Sequence, residues 1–124
     1  MTTARRYRLY DLVHARSGDK GNRLNIGVFC NDTELFGALR EPLSAEFVRG
    51  VFRHRNPSSV VRYELPKLSA FNFVLDGVLE GGVNVSLGLD GHGKTLSYLL
   101  LSASLEESPA LRAFVEGRKV QLAI

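Results

Sequence analysis

With a single cysteine, Cys30, the chain can close no internal disulfide and can build no cysteine-rich metal cluster. No apolar run approaches the ~20 residues that a membrane-spanning helix needs. The opening stretch MTTARRYRLYD has basic residues but lacks an apolar core followed by small residues, so it reads as no secretory signal. No pair of His, Asp and Glu has metal-ligand spacing, and neither a metal nor a cofactor is expected. Tryptophan is absent, and the aromatics do not interleave with basic residues as single-strand binding requires. These absences leave a soluble, cytoplasmic domain with no membrane role and little to recommend nucleic acid.

At 124 residues, with 44% hydrophobic and 23% charged residues, the chain has the composition and size of one ordinary globular domain. Its net charge of +3 is unevenly spread: residues 1–67 carry +5 and residues 68–124 carry −2. A basic half is suited to an anionic small molecule such as a phosphate or a carboxylate, or is simply an arginine-rich solvated face.

Apolar periodicity predicts the elements. Residues 6–15 alternate as a first strand, and 24–30 as a second that pairs back on it. Asn31-Asp32 offers a helix N-cap before Leu35, Phe36 and Leu39. Pro42 ends that helix. Ser44 caps the next, whose stripe is Phe47, Val48, Val51 and Phe52. Residues 60–65 read as a third strand stopped by Pro66. From Leu68 to Glu80, Phe71, Val74, Leu75 and Val78 fit a buried helix that ends at Gly81-Gly82, with Asn72 as a capping or core amide. Residues 83–87 alternate as a strand, residues 90–93 make a turn, and 96–105 return as a very apolar strand. Ser108-Pro109 opens a short helix with Leu111, Phe114 and Val115, ended by Gly117, and residues 120–124 suggest a last strand.

This order predicts an α+β two-layer sandwich, mostly antiparallel, with its helices on one face. Residues 1–105 form the domain, and 106–124 a helix/strand extension packing on it or on a partner. Leu99, Leu100 and Leu101, placed on both faces of one strand, predict cover on both sides by the C-terminal tail or by a partner chain, and a homo-oligomer is expected.

Residues 88–95, GLDGHGKT, spell the phosphate-loop expression G-x-x-x-x-G-K-[ST]. A strand reading for the residues after Thr95, and the shortness of the remaining chain, argue against nucleotide binding there.

Chemistry concentrates instead in residues 14–22, HARSGDKGN. Gly18 and Gly21 permit a turn that gathers backbone N–H groups into a concavity, with Arg16 as a planar fork and Lys20 as a mobile charge. His14, Ser17, Asp19 and Asn22 complete that ligand-binding set, to which Asn72 is added. A catalytic version makes His14 a general base, with Arg16 and Lys20 stabilising a developing anion and Asp19 orienting them. The bland version is a hairpin in which Asp19 bonds the backbone two residues on. Cys30 is a small buried hydrophobe, and His54 and His92 suggest nothing.

HARSGDKGN, together with YELPKLSAFNFVL and the D-x-x-G-K-T stretch, resembles the small C-terminal domain of the acyclic terpene utilisation (AtuA-like) family, from about Leu9 to Leu105. The distinctive matches are His14, Arg16, Ser17, Gly18, Asp19, Lys20 and Gly21, with Asn25, Pro66, Asn72 and Gly82 as further ones. The resemblance implies a ferredoxin-like fold and a large partner domain or subunit. It also implies a setting in the breakdown of branched, CoA-linked acids. Three functions remain open: a small accessory or binding subunit, a stand-alone enzyme for an acyl-CoA or carboxylate substrate, and, as the weaker alternative, an anion or nucleic-acid binder using the basic N-terminal half.

Overall fold

In the computed structural model, residues 5–20, 23–78 and 92–118 are described. The elements run β1 (Arg6–Arg8), β2 (His14–Lys20), β3 (Arg23–Phe29), α1 (Thr33–Leu39), α2 (Ala45–Val51), β4 (Ser59–Leu65), β5 (Ala70–Asp76), α3 (His92–Leu101), β6 (Ser104–Glu106) and α4 (Pro109–Arg118). β2, β3, β5 and β4 form, in that order, a four-stranded antiparallel sheet, and β1 pairs antiparallel with β6 in a small second sheet. The α+β, antiparallel architecture expected from the sequence is the one observed.

The sheet register sorts every side chain by face, because successive residues of a strand point to opposite sides. Leu24, Ile26 and Val28 of β3 stand opposite Leu75, Phe73 and Phe71 of β5, and all six are fully buried. The helices cover this face. Phe36 of α1 stacks on Phe71 with ring centroids 4.7 Å apart, Val48 of α2 and Leu96 and Leu100 of α3 join the same cluster, and α3 lies against β2. Arg62, on the core side of edge strand β4, places its guanidinium 5.1 Å over the Phe71 ring and donates to the Leu43 carbonyl. It thereby ties the α1–α2 connection to the sheet while its charge reaches Glu64 at 2.9 Å.

Local capping follows the sequence. Asp32 accepts from the N–H groups of Glu34 and Leu35 at the start of α1, Ser44 from that of Phe47 at α2, and Ser108 from that of Leu111 at α4. α4 buries Leu111, Phe114 and Val115 and packs against α1.

Four expectations are corrected. The strand foreseen over residues 6–15 is interrupted, because Leu9–Asp11 form a 3-10 turn closed by the Leu12 and Val13 amides on the Leu9 carbonyl. Residues 70–76 are a strand, not a helix: Phe71, Phe73 and Leu75 alternate inward. Val74 on the opposite face completed a false helical spacing with Phe71, Leu75 and Val78. Residues 92–101 are a helix, not a turn and a strand. Leu100 and Leu101 are covered within the chain, so this leucine run no longer calls for a partner. The same helix removes the secondary-structure objection to a phosphate loop. The residues that would cradle a phosphate, 88–91, lie outside the described part, as do the strands foreseen at 83–87 and 120–124.

Candidate functional site

Residues 14–20, read as a charged loop, are an extended strand paired residue for residue with β3, from His14 opposite Phe29 to Lys20 opposite Arg23. Gly18 therefore does not bend the chain into an anion-binding concavity; among the described glycines, positive φ belongs to Gly77. The backbones of Asp19 and Lys20 close β2. Their side chains, together with Gly21, Asn22 and Gly82, are outside what is described.

What the strand does instead is align side chains on the sheet face away from the helices. From β2, His14, Arg16 and Gly18 lie on that outer face, all exposed. Asn25, Gly27 and Phe29 of β3 and Ala70, Asn72 and Val74 of β5 continue it, and Val61, Tyr63 and Leu65 of β4 close it. One row across the sheet reads Arg16, Gly27, Asn72, Tyr63. Asn72 is thus on a strand, where Nδ2 of Asn25 donates to its Oδ1 at 3.5 Å, rather than capping a helix.

Two glycines make this face possible by close approach. A Cβ on Gly18 would come within 3.1 Å of Asn25 Oδ1, and one on Gly27 within 3.1 and 3.2 Å of the Phe29 ring. The missing side chains leave room for the amide and for an aromatic ring laid along the sheet. At the far end, Arg23 Nε donates to Asp76 Oδ1 at 2.7 Å and Ser59 donates to Asp76 Oδ2 at 3.1 Å. The hydrogen bond from Arg23 holds the Asp76 carboxyl below its ordinary value, and that from Ser59 adds to it.

Val61, Tyr63 and Leu65 are 42%, 53% and 39% exposed on adjacent outward positions of β4. Sequence reasoning named none of them. Their signal was present, since residues 60–65 were read as a strand, but its outward face was not read as a surface.

A separate cleft of about 440 Å³ opens between β2 and α3, lined by Ala15, Arg16, Ser17, Ser97 and Tyr98. His14 does not line it. Another hollow, at the start of α4, holds Arg112 already paired with Glu107 and Glu116. Cys30 is buried, and burial, with the charge of Asp32 adding, pushes its thiol up to about 12. No group of three or more His, Cys, Asp or Glu that could hold a metal ion occurs among the described residues. Nor is any described helix long and apolar enough to cross a membrane.

No curated protein and no solved structure gives a match to the chain. A family does: the sequence of residues 7–106 fits the AtuA ferredoxin-like domain, covering β1 through β6 and most of the chain's length. The region that carries the outer face and the β2–α3 cleft is therefore that of this family, and the chain belongs to the AtuA ferredoxin-like domain family.

Proposed function

We propose that this chain is a small, cytoplasmic accessory subunit or domain that docks onto a large AtuA-type partner through the outer face of its four-stranded sheet. One observation carries the reading. The helices bury one side of the sheet, while the other presents Val61, Tyr63 and Leu65 in the open beside the Asn25–Asn72 amide pair and Arg16. Adjacent exposed apolar residues around an aromatic, rimmed by polar groups, are the composition of a protein-binding surface. Tyrosine in particular anchors interfaces, giving contact area at low entropic cost. The family's association with a large domain supplies the partner class, and the breakdown of branched, CoA-linked acids supplies the setting.

The stand-alone enzyme reading draws less support. His14 is exposed on the open face and lines no described cleft, so no described residue excludes water from it or brings a substrate proton to it.

The experiment is co-elution of the purified chain with a purified large AtuA-type domain on a sizing column. A stable complex is the expected outcome. A chain that elutes as a homodimer and ignores the large domain would replace the partner with a second copy, and a chain that remains a monomer would remove the docking reading.

A further inference from the structure

We infer that the cleft between β2 and α3 is a binding site for a small carboxylate with an apolar body, in which Arg16 clamps the carboxylate and the Tyr98 ring walls the body. The cleft runs along the sheet edge, and Arg16, an outer-face residue of edge strand β2, is the one residue it shares with the docking face.

The shape of the cleft has a local cause. α3 packs on β2 with Leu96 and Leu100 fully or almost fully buried, yet between them it turns Ser97 inward, 5% exposed. Ser97 is the one buried polar residue among the described residues. Facing it, β2 offers Ala15 and Ser17, both short side chains, on its core side. Leu96 and Leu100 pack α3 on the sheet, the three small residues leave the space beside them unfilled, and a volume of about 440 Å³ remains. That is within the ~300–1,000 Å³ typical of small-molecule sites.

The charge in the cleft is one-sided. Arg6, Arg8, Arg23, Arg40, Arg62 and Arg112 each have a carboxylate partner in the fold. Among the described residues, Arg16 has none, and no Asp or Glu lines the cleft. A guanidinium presents a planar fork of donors that fits a carboxylate with two parallel hydrogen bonds. Ser17 and Ser97 add polar groups on the same lining; both are also engaged elsewhere in the protein. Tyr98, 62% exposed, lines the cleft with its aromatic side chain, and the methyl of Ala15 adds to the apolar lining. A fork for two oxygens and an apolar wall beside it select an organic acid over a bare oxyanion.

The test titrates the full chain with benzoate, with acetate and with inorganic phosphate, read by backbone-amide NMR shifts. Benzoate is expected to bind saturably, with shifts at Ala15, Ser17, Ser97 and Tyr98, and more tightly than acetate or phosphate. Arg16→Met keeps the aliphatic stem and loses the charge, and is expected to weaken benzoate at least tenfold. Arg16→Lys falls between, because it keeps charge without the fork. Tyr98→Ala narrows the preference for benzoate over acetate. Both positions are exposed, and the unchanged thermal midpoint of each variant confirms folding. Benzoate binding that survives Arg16→Met, or shifts that never saturate, overturn the proposal. So does phosphate binding as tightly as benzoate with indifference to Tyr98→Ala. Tyr98→Ala touches no residue of the docking face, so it alters benzoate preference and leaves docking through Val61 and Tyr63 untouched, and the two readings fail separately.

Discussion

Asn25 and Asn72 meet amide to amide across β3 and β5, 3.5 Å from Nδ2 to Oδ1, as diagonal neighbours in the sheet. The contact sits in the middle of the open face, and Gly18 on β2 leaves the space it needs.

Gly18→Ala is expected to displace the Asn25 amide, because the new Cβ meets Oδ1 at 3.1 Å. The backbone at residue 18 is extended, so stability should change by no more than about 1 kcal/mol. The Asn25 side-chain NH₂ resonances should move while the urea midpoint stays nearly fixed. A large drop in midpoint with unmoved resonances would show that the glycine serves the backbone instead.

Phe71 is fully buried, stacked on Phe36 and capped by Arg62. Phe71→Ala should cost about 3–5 kcal/mol in denaturant unfolding, the range for deleting a buried aromatic ring. Phe71→Leu, which keeps most of the volume, should cost clearly less. Equal losses would mean that the ring geometry, not the buried volume, holds the site.

Asp76 has its folded-state pKa lowered, first by the hydrogen bond from Arg23. The unfolded chain then binds more protons over the interval between the two values, so stability from this pair rises with pH through that interval. It is fully present above the ordinary aspartate value of about 3.9 and is lost as pH falls through the folded value. The urea-midpoint gap between the parent and Asp76→Asn should be greatest near neutrality, shrink on acidification and shrink in high salt, since the pair is solvent-accessible. A gap independent of pH would contradict the assignment.

Cys30, with its thiol raised to about 12, should resist a thiol-specific disulfide reagent at mildly alkaline pH in the folded protein. It should react at full rate once unfolded in urea. Fast labelling of the native state would show that α1 and its preceding turn open readily.

The fold class was legible because alternation and caps are local. Asp32, Ser44 and Ser108 announced three helix starts, and Leu24, Ile26 and Val28 a half-buried strand. What misled was side-chain character on the face turned away from the core. Val74 is apolar but outward, and it turned the β5 alternation into a helical count. Leu99, Leu100 and Leu101 in succession fit either element, and packing against β2 decided for α3. The interruption at Leu9–Asp11 had no glycine or proline to mark it. As for the site, Arg16 and Asn72 were found by residue type. Of their neighbours, Tyr63 stands opposite Asn72 in a β4–β5 hairpin that the helical reading of residues 68–80 hid, whereas Tyr98 meets Arg16 from a distant part of the chain, a juxtaposition one sequence does not display.

The central claim is that the open sheet face binds a large AtuA-type partner, and calorimetric titration of that purified partner with the Val61→Glu/Tyr63→Glu chain tests it most directly. Both side chains are exposed, so the fold should persist, while affinity should fall at least a hundredfold against the parent chain. Parent-like affinity in a folded double variant would contradict the claim.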